Sequence, residues 1–485
     1  MPSVPQVSDA QLAGARSSLE SANLEGGANR AEGRAVAGLA ALYAFRMLGL
    51  FIVLPVIQIL GRDYSDATPV LVGLAMGIYG GTQALLQIPF GWLSDRLGRK
   101  PVILAGLGLF ILGSVIAALA DTITAVIIGR ALQGAGAISA AVMALLADLT
   151  RDERRSQAMA AVGGAIGLSF ALALFIGPLL GERYGLSGIF WFSALLGLAG
   201  ALIVLFVVPR APLARRSQSE VSPRLQQFWT VLKHPGLARL NAGIFVLHLV
   251  LMVIFTVIPL TLLEFGWALE RHWQVYLPVM GLSFVAMLPL IILAERAGKM
   301  KPVFLLAIAV MSVSLLAASF SLQNELAFLA ALFFLFFGFN LLEAQLPSLV
   351  SKMAPAGFKG MALGIYASGQ FLGVFIGATV AGALVGLGQA AAALWFAALL
   401  MAALLLLASG LQVPANLRRV LVPLPQAQER EAFLRALENA PGVHEMFCDE
   451  EAEAVVLRVD KAHFDPARVS GAKASKAGSR EDTQA

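Results

Sequence analysis

The stretch GWLSDRLGRK, residues 91–100, holds two arginines, a lysine and an aspartate in the six residues from Asp95 to Lys100, between two apolar runs. Gly98 supplies a turn that a side chain would strain. Gly91 allows close helix approach within a membrane. Lys100 and Pro101 open the next run. A charged turn between long apolar segments reads as the short loop between two membrane-crossing helices, and the rest of the chain repeats that pattern.

Of the 485 residues, 58% are hydrophobic and 13% charged, and the mean hydropathy is +0.79. A soluble protein carries about 25% charged residues. Twelve apolar spans are predicted, at 36–60, 69–91, 101–120, 123–148, 157–180, 187–209, 237–263, 273–294, 302–320, 325–350, 360–385 and 389–411. Each is long enough for a hydrocarbon core of about 30 Å. Lys and Arg gather in alternate loops, and the remaining loops carry only Arg62, Arg183 and Arg271. Positive loops stay cytoplasmic, so both termini are expected there, in a bacterial inner membrane.

The class is an all-α membrane protein with lipid as its surroundings. Residues 1–35 lack an apolar signal and read as an uncleaved, disordered tail. A single cysteine, Cys448, rules out an intramolecular disulfide. The basic balance does not imply a nucleic-acid partner, because it resides in short loops. A P-loop, HExxH, CxxC and nucleophile elbow are all missing from the sequence. Neither an enzyme nor an ATP-driven pump is expected, and neither a metal site nor a cofactor.

The predicted organisation is a tail at 1–35, a six-helix bundle at 36–209, a cytoplasmic linker at 210–236, a second six-helix bundle at 237–411, a small α+β domain at 415–469 and a disordered end at 470–485. The two bundles look related. DRLGR (95–99) recurs as ERAGK (295–299), and FIG (175–177) as FIG (375–377), both at an offset of 200 residues. Two parallel six-helix repeats are typical of transporters that rock about a midplane site. After residue 411 the pattern reads β-α-β-β, of ferredoxin-like type, with Phe433, Leu434 and Leu437 on one helix face.

The 91–100 loop resembles the signature of the major facilitator superfamily through Gly91, Leu93, Asp95, Arg96, Gly98, Arg99, Lys100 and Ile103. The resemblance implies twelve transmembrane helices in two repeats. It also implies a cytoplasmic latch in which Asp95 docks on the start of span 11 while Asp148 pairs with Arg99. RALQGAGAISAA resembles the span 4 pattern of proton-coupled antiporters through Arg130, Gln133, Gly134, Gly136 and Ala137. Span 5 keeps Gly164, Gly177, Pro178 and Gly181 of the antiporter pattern, with Ala173 and Glu182 where glycines stand in the family. Together with FRMLGLFIVLP, ADLTRDE, FNLLEAQLPS and the appended domain, the chain resembles the YajR-type branch. What this implies is proton-driven efflux of a small organic solute by alternating access, with the proton as coupling ion.

Four ionisable groups lie deep in the spans, Arg46, Arg130, His248 and Glu343, on predicted spans 1, 4, 7 and 10. Intramembrane charge marks function by default. Glu343 is the deep carboxylate suited to carry a proton. Arg46 and Arg130 are expected to modulate it, or to pair with it across the halves, and Asn340 to bind solute. His248 with Met252, Met280 and Met287 is a weaker pattern for a soft ion such as Cu(I). Rival readings are facilitated uptake, and a receptor signalling to a ligand or partner of the C-terminal domain. A monomer is expected.

Overall fold

The computed structural model describes residues 32–209, 225–354, 358–412, 417–424, 430–438, 440–449 and 454–460. Among the described residues, eleven helices are long and apolar enough to cross a membrane. In chain order the helices are α1 (Glu32–Phe51), α2 (Pro69–Leu97), α3 (Arg99–Ala118), α4 (Ile123–Leu149) and α5 (Asp152–Leu202). A short helix α6 (Leu225–Lys233) leads to α7 (Pro235–Glu264), α8 (Trp273–Arg296), α9 (Met300–Phe320), α10 (Glu325–Met353), α11 (Lys359–Gly386) and α12 (Ala390–Ser409).

Local chemistry sets these boundaries. Thr68, Thr122 and Asn324 cap the starts of α2, α4 and α10 by accepting from Leu71 N, Ala125 N and Ala327 N at 3.2, 3.2 and 3.1 Å. The 91–97 segment continues α2, and the turn is confined to Gly98 at φ 96°. The first predicted span is not one helix. Regular structure stops at Phe51 and resumes only at Ile57–Leu60, because Pro55 offers no amide to the ladder. Its start also lies earlier than expected, at Glu32, so the predicted tail is shorter by four residues on the described side. The rest of that tail, most of the linker and the 470–485 end lie outside the described residues. Within the linker α6 is helical, where only loop was expected.

Helix α5 takes in predicted spans 5 and 6. At 1.5 Å per residue, a straight helix of its length would run about 75 Å, more than twice a bilayer core of about 30 Å. Its backbone leaves helical geometry at Gly185, with φ 63° and ψ −168°. It ends in a π-helical turn, Ile203–Val207.

The 200-residue repeat has a structural counterpart. Gly98 and Gly298 both adopt positive φ, 96° and 65°. A Cβ on Gly177 would lie 2.7 Å from Ile52 O, and one on Gly377 would lie 2.4 Å from Leu249 O. Each glycine therefore lets its helix press on the first membrane segment of its own half.

After α12, strand β1 (Leu417–Pro423), helix α13 (Arg430–Glu438), β2 (Val443–Asp449) and β3 (Ala454–Asp460) form an antiparallel sheet in the order β1-β3-β2. Leu437, Val455, Leu457 and Val459 are its buried core, with Phe433 and Leu434 packed against them.

The two halves meet unevenly. One apolar core joins Ile52, Val72 and Met76 of the first half to Val253, Phe255 and Ala378 of the second. At the predicted outer end, where α2 begins and α11 finishes, backbones nearly touch. A Cβ on Gly73 would lie 2.6 Å from Ala378 O, one on Gly80 2.5 Å from Phe371 O, and one on Gly382 2.7 Å from Pro69 O. Phe175 of α5 meets Trp273 of α8 edge-on at 5.3 Å. A second core, built on Leu39, Leu107 and Leu145, lies toward the other end, and among the described residues it draws only Phe371 from the second half. There Gly360 and Gly364 of α11 face open space. The halves are clasped at one end and parted at the other.

The loops at the clasped end are tied by Asp66. Its carboxylate accepts from Ile123 N at 2.6 Å and from the Thr124 hydroxyl at 2.6 Å, at the start of α4. The Thr124 hydrogen bond, followed by the backbone amides, holds this carboxyl below its ordinary range. A lowered folded-state value means that the contribution is present above the ordinary carboxylate range and is lost as pH falls through the lowered one. Asp66→Asn is expected to reduce the thermal midpoint at neutral pH and to converge with the unsubstituted protein in acid. Unfolding followed across pH checks this, and parallel curves at every pH would refute it.

Candidate functional site

The deep groups lie in two separate networks. In the first half, α4 breaks at Gly136–Ile138, between Ala135 and Ser139. The break frees backbone carbonyls inside the bundle, which must find donors. Ala137 N and Ile138 N serve Ala135 O and Gly136 O at 2.8 Å each, and Arg46 adds a second donor to Gly136 O. Its guanidinium donates to Gly136 O at 2.8 Å, Ser139 Oγ at 2.9 Å and Gln83 Oε1 at 3.1 Å. Arg130 donates to Ala75 O at 3.2 Å, Met76 O at 3.3 Å and Gln133 Oε1 at 2.9 Å. Gln133 in turn donates to Ser114 Oγ at 2.7 Å. The span 4 glycines bring these helices together. A Cβ on Gly134 would lie 2.2 Å from Tyr79 O, and one on Gly136 2.2 Å from Gly106 O.

Both arginines are thus internal to the first half, and neither pairs with Glu343. The alternative of an arginine–glutamate pair across the halves is not formed among the described residues: Gln83, Ser139 and Gly136 O take the terminal nitrogens of Arg46, whose Nε has no partner, and Gln133, Ala75 O and Met76 O take Arg130.

In the second half, Glu343 of α10 has a side chain 40% exposed, and its Oε2 stands 3.9 Å from His248 Nε2 of α7. That oxygen is buried and accepts no hydrogen bond among the described residues. His248 Nε2 instead meets the Gln370 amide nitrogen of α11 at 2.7 Å. An amide N–H can donate only to an unprotonated ring nitrogen, so His248 carries its proton on Nδ1 and is neutral. Asn340 donates to Ser283 Oγ of α8 at 3.1 Å and is engaged in the structure. Met252 and Met287 are buried core residues, which is the packing role a flexible thioether usually has.

A pair of rings bridges the networks. Phe371, next to Gln370, meets Tyr79 at 6.4 Å, and the Arg130 guanidinium stands 5.2 Å above the Tyr79 ring. Gln83, Ser139, Tyr79 and Gln370 were not singled out in the sequence, since neutral polar residues in apolar spans carry no charge signal.

The loop signature is only partly assembled as expected. Arg99 bonds Asp148 at 3.3 Å, but Asp95 pairs with Arg99 on its own loop rather than with the start of α11. The apolar core at that end takes only Phe371 from the second half among the described residues. Arg96 stacks over Trp92 at 3.9 Å, and Lys100 bonds Val208 O. Gly91 faces Ala140, where a Cβ would lie at 3.5 Å. In the span 5 pattern, Gly177 and Gly181 press on the end of span 1, Pro178 lies inside α5, and Gly164 faces open space.

Known proteins are similar to this chain in sequence or in fold. The human organic anion transporter MFSD10 (TETRAN) superposes with a TM-score of 0.60 at 21% identity, over 78% of this chain and 99% of its own. Multidrug resistance protein MdtL of Escherichia coli (strain K12 / DH10B) is 33% identical over 33% of this chain and 42% of its own length. Inner membrane transport protein YajR of Escherichia coli (strain K12) is 42% identical over 433 residues, covering 88% of this chain and 94% of its own. The family model "Major Facilitator Superfamily" matches residues 39–357 and 272–441. With its helical repeats, its loop signature and these matches, the chain belongs to the Major Facilitator Superfamily of membrane transporters, in the YajR branch, and is not an enzyme.

Proposed function

We propose that this transporter exports a small organic solute from the cytoplasm in exchange for protons, by alternating access, with Glu343 as the proton-carrying group. The observation that carries this reading is the Glu343 carboxylate. It lies deep in α10, partly exposed, beside a neutral His248 and without an arginine partner among the described residues. The names of the relatives agree, one an inner membrane transport protein and another a multidrug resistance protein. In this reading the chain sits in a bacterial inner membrane with both termini cytoplasmic. It crosses twelve times, with Gly185 dividing α5 into two crossings, and its C-terminal sheet is a ferredoxin-like module.

The parted end is then cytoplasmic, and the state is inward-open. Solute enters from the cytoplasm beside Glu343. In the opposite state Asp95 would leave Arg99 and dock on the positive N-terminal end of α11. The seam between α2 and α11 would open on the other side.

Glu343→Gln is expected to retain solute binding and lose proton movement, because an amide has the same shape but no exchangeable charge. The measurement is the collapse of an imposed pH gradient in everted vesicles on adding solute, with a pH-sensitive dye. Unchanged proton movement by the variant would remove Glu343 from the carrier role.

A further inference from the structure

At the end where the halves part, α6 leads from the linker into the second half. Phe228, Val231 and Leu232 belong to the apolar core and hold α6 against α7 and α11. Another face of the helix carries Trp229 and Lys233, four residues apart and so on one side. Trp229 is 48% exposed, and the Lys233 Nζ stands 6.0 Å from the centre of its ring. His234 then caps α7, its Nδ1 accepting from Leu237 N at 3.3 Å.

Arg239 follows one turn later, about 6 Å along α7 from Pro235. Its guanidinium lies across the end of α12, where a Cβ on Gly410 would stand 3.2 Å from Nη2 and 3.6 Å from Nε. The negative end of the α12 dipole steadies this charge, yet no carbonyl accepts a hydrogen bond from it among the described residues. The Nε is buried and unpartnered, while the side chain as a whole is only partly buried. Neither Lys233 nor Arg239 has a carboxylate partner among the described residues. In sequence, the stretch from Arg210 to Arg239 holds six Lys and Arg residues against one acidic residue, Glu220.

We infer that Trp229, Lys233 and Arg239 form a headgroup site for an anionic phospholipid, which anchors the junction between the two halves to the bilayer surface. Such a site is independent of proton coupling at Glu343. A guanidinium whose planar fork is unengaged binds two phosphate oxygens at once. An indole settles at the level of lipid headgroups, where one end of it is apolar and the other wet. A small soluble anion would gain from the charges but not from the open indole. A zwitterionic lipid also offers phosphate, but its own ammonium is repelled by Lys233 and Arg239. A headgroup of net negative charge meets no such conflict.

The test places the full chain in nanodiscs of phosphatidylcholine and phosphatidylglycerol, then releases it into detergent and reads the lipid that stays bound by native mass spectrometry. Phosphatidylglycerol should be retained in preference to phosphatidylcholine. Lys233→Gln and Arg239→Gln should each lower that retention about fivefold. Lys299→Gln, at an exposed lysine of the same end, should leave it unchanged. Because Lys233 is exposed, its variant carries the test where Arg239→Gln fails to fold. The fluorescence lost on changing Trp229→Phe should be a component that phosphatidylcholine brominated near its glycerol quenches in the parent. Equal retention of both lipids, unchanged retention in the two glutamine variants, or an equal loss in Lys299→Gln would overturn the inference. So would a Trp229 component that brominated lipid does not quench. Release of the bound lipid by millimolar inorganic phosphate would overturn it too, by giving the site to a soluble anion.

Discussion

Arg46→Met is expected to lower stability by about 3 kcal/mol and to abolish transport without shifting the pH dependence of any residual activity. The methionine fills similar space but removes three hydrogen bonds and leaves Gln83 Oε1 unpaired, while Gly136 O keeps Ile138 N at 2.8 Å and Ser139 Oγ keeps the Gln83 amide at 3.4 Å. Each buried polar group left unpaired costs about 1–3 kcal/mol. In a membrane the sum is smaller, because the unfolded helices also find partners. Transport suffers because the break at Gly136–Ile138 shapes α4 where it faces the cleft, and the break is pinned by this guanidinium. Arg46→Lys should not rescue, since one ammonium cannot reproduce a planar fork that reaches three acceptors. Thermal unfolding in detergent and pH-dependent flux in vesicles check both parts. A variant of unchanged stability with a displaced pH profile would mean that Arg46 acts on Glu343 through its charge.

Gly73→Leu should produce the second large effect, a change of state. A Cβ there meets Ala378 O at 2.6 Å and the Gly382 Cα at 2.9 Å. Both are backbone atoms of α11 that cannot step aside singly. A leucine wedges α2 from α11, so the clasped end opens and the cycle stalls with the cleft facing that side. Labelling of engineered cysteines lining the cleft, in a background without Cys448, should rise from the outside and fall from the inside. Gly164→Ala is the contrast: that position faces open space and should change neither accessibility nor stability by more than about 0.5 kcal/mol. Labelling by Gly73→Leu that matches the parent would show that the seam tolerates a gap.

Much of this molecule could be read from the chain alone, for reasons that particular residues make plain. The 91–100 loop is legible because glycine, aspartate and arginine at fixed spacing are rare between apolar runs. The repeat is legible because Gly98 and Gly298, or Gly177 and Gly377, answer to the same backbone need in each half. Arg46 and Arg130 announce themselves as charges in apolar spans, but their partners do not. A carbonyl freed by a helix break has no residue type, so the alternative of an arginine–glutamate pair stayed open until coordinates closed it. Gln370 was hidden for a related reason. It matters by donating to His248 across 122 residues of sequence, and nothing local marks that meeting. The Asp95 contact is a different case: in the alternating-access reading proposed above it belongs to another state of the cycle, and a sequence encodes both states at once.

The materials of the two ends differ, and this has a consequence for how surroundings bias the cycle. The clasped end is made of glycine backbones, aromatic edges and aliphatic side chains, whereas the parted end carries Asp95, Arg99, Asp148, Glu32, Arg151 and Arg154 in ion pairs. Dispersion contacts are indifferent to dissolved ions, while exposed charge pairs weaken once the screening length falls below about 10 Å. Raising ionic strength on the charged side would then disfavour any closure built on those charges and leave the glycine seam untouched. The transporter would be a one-sided sensor of its electrolyte, with the resting balance between its two orientations set from the compartment that holds the charges.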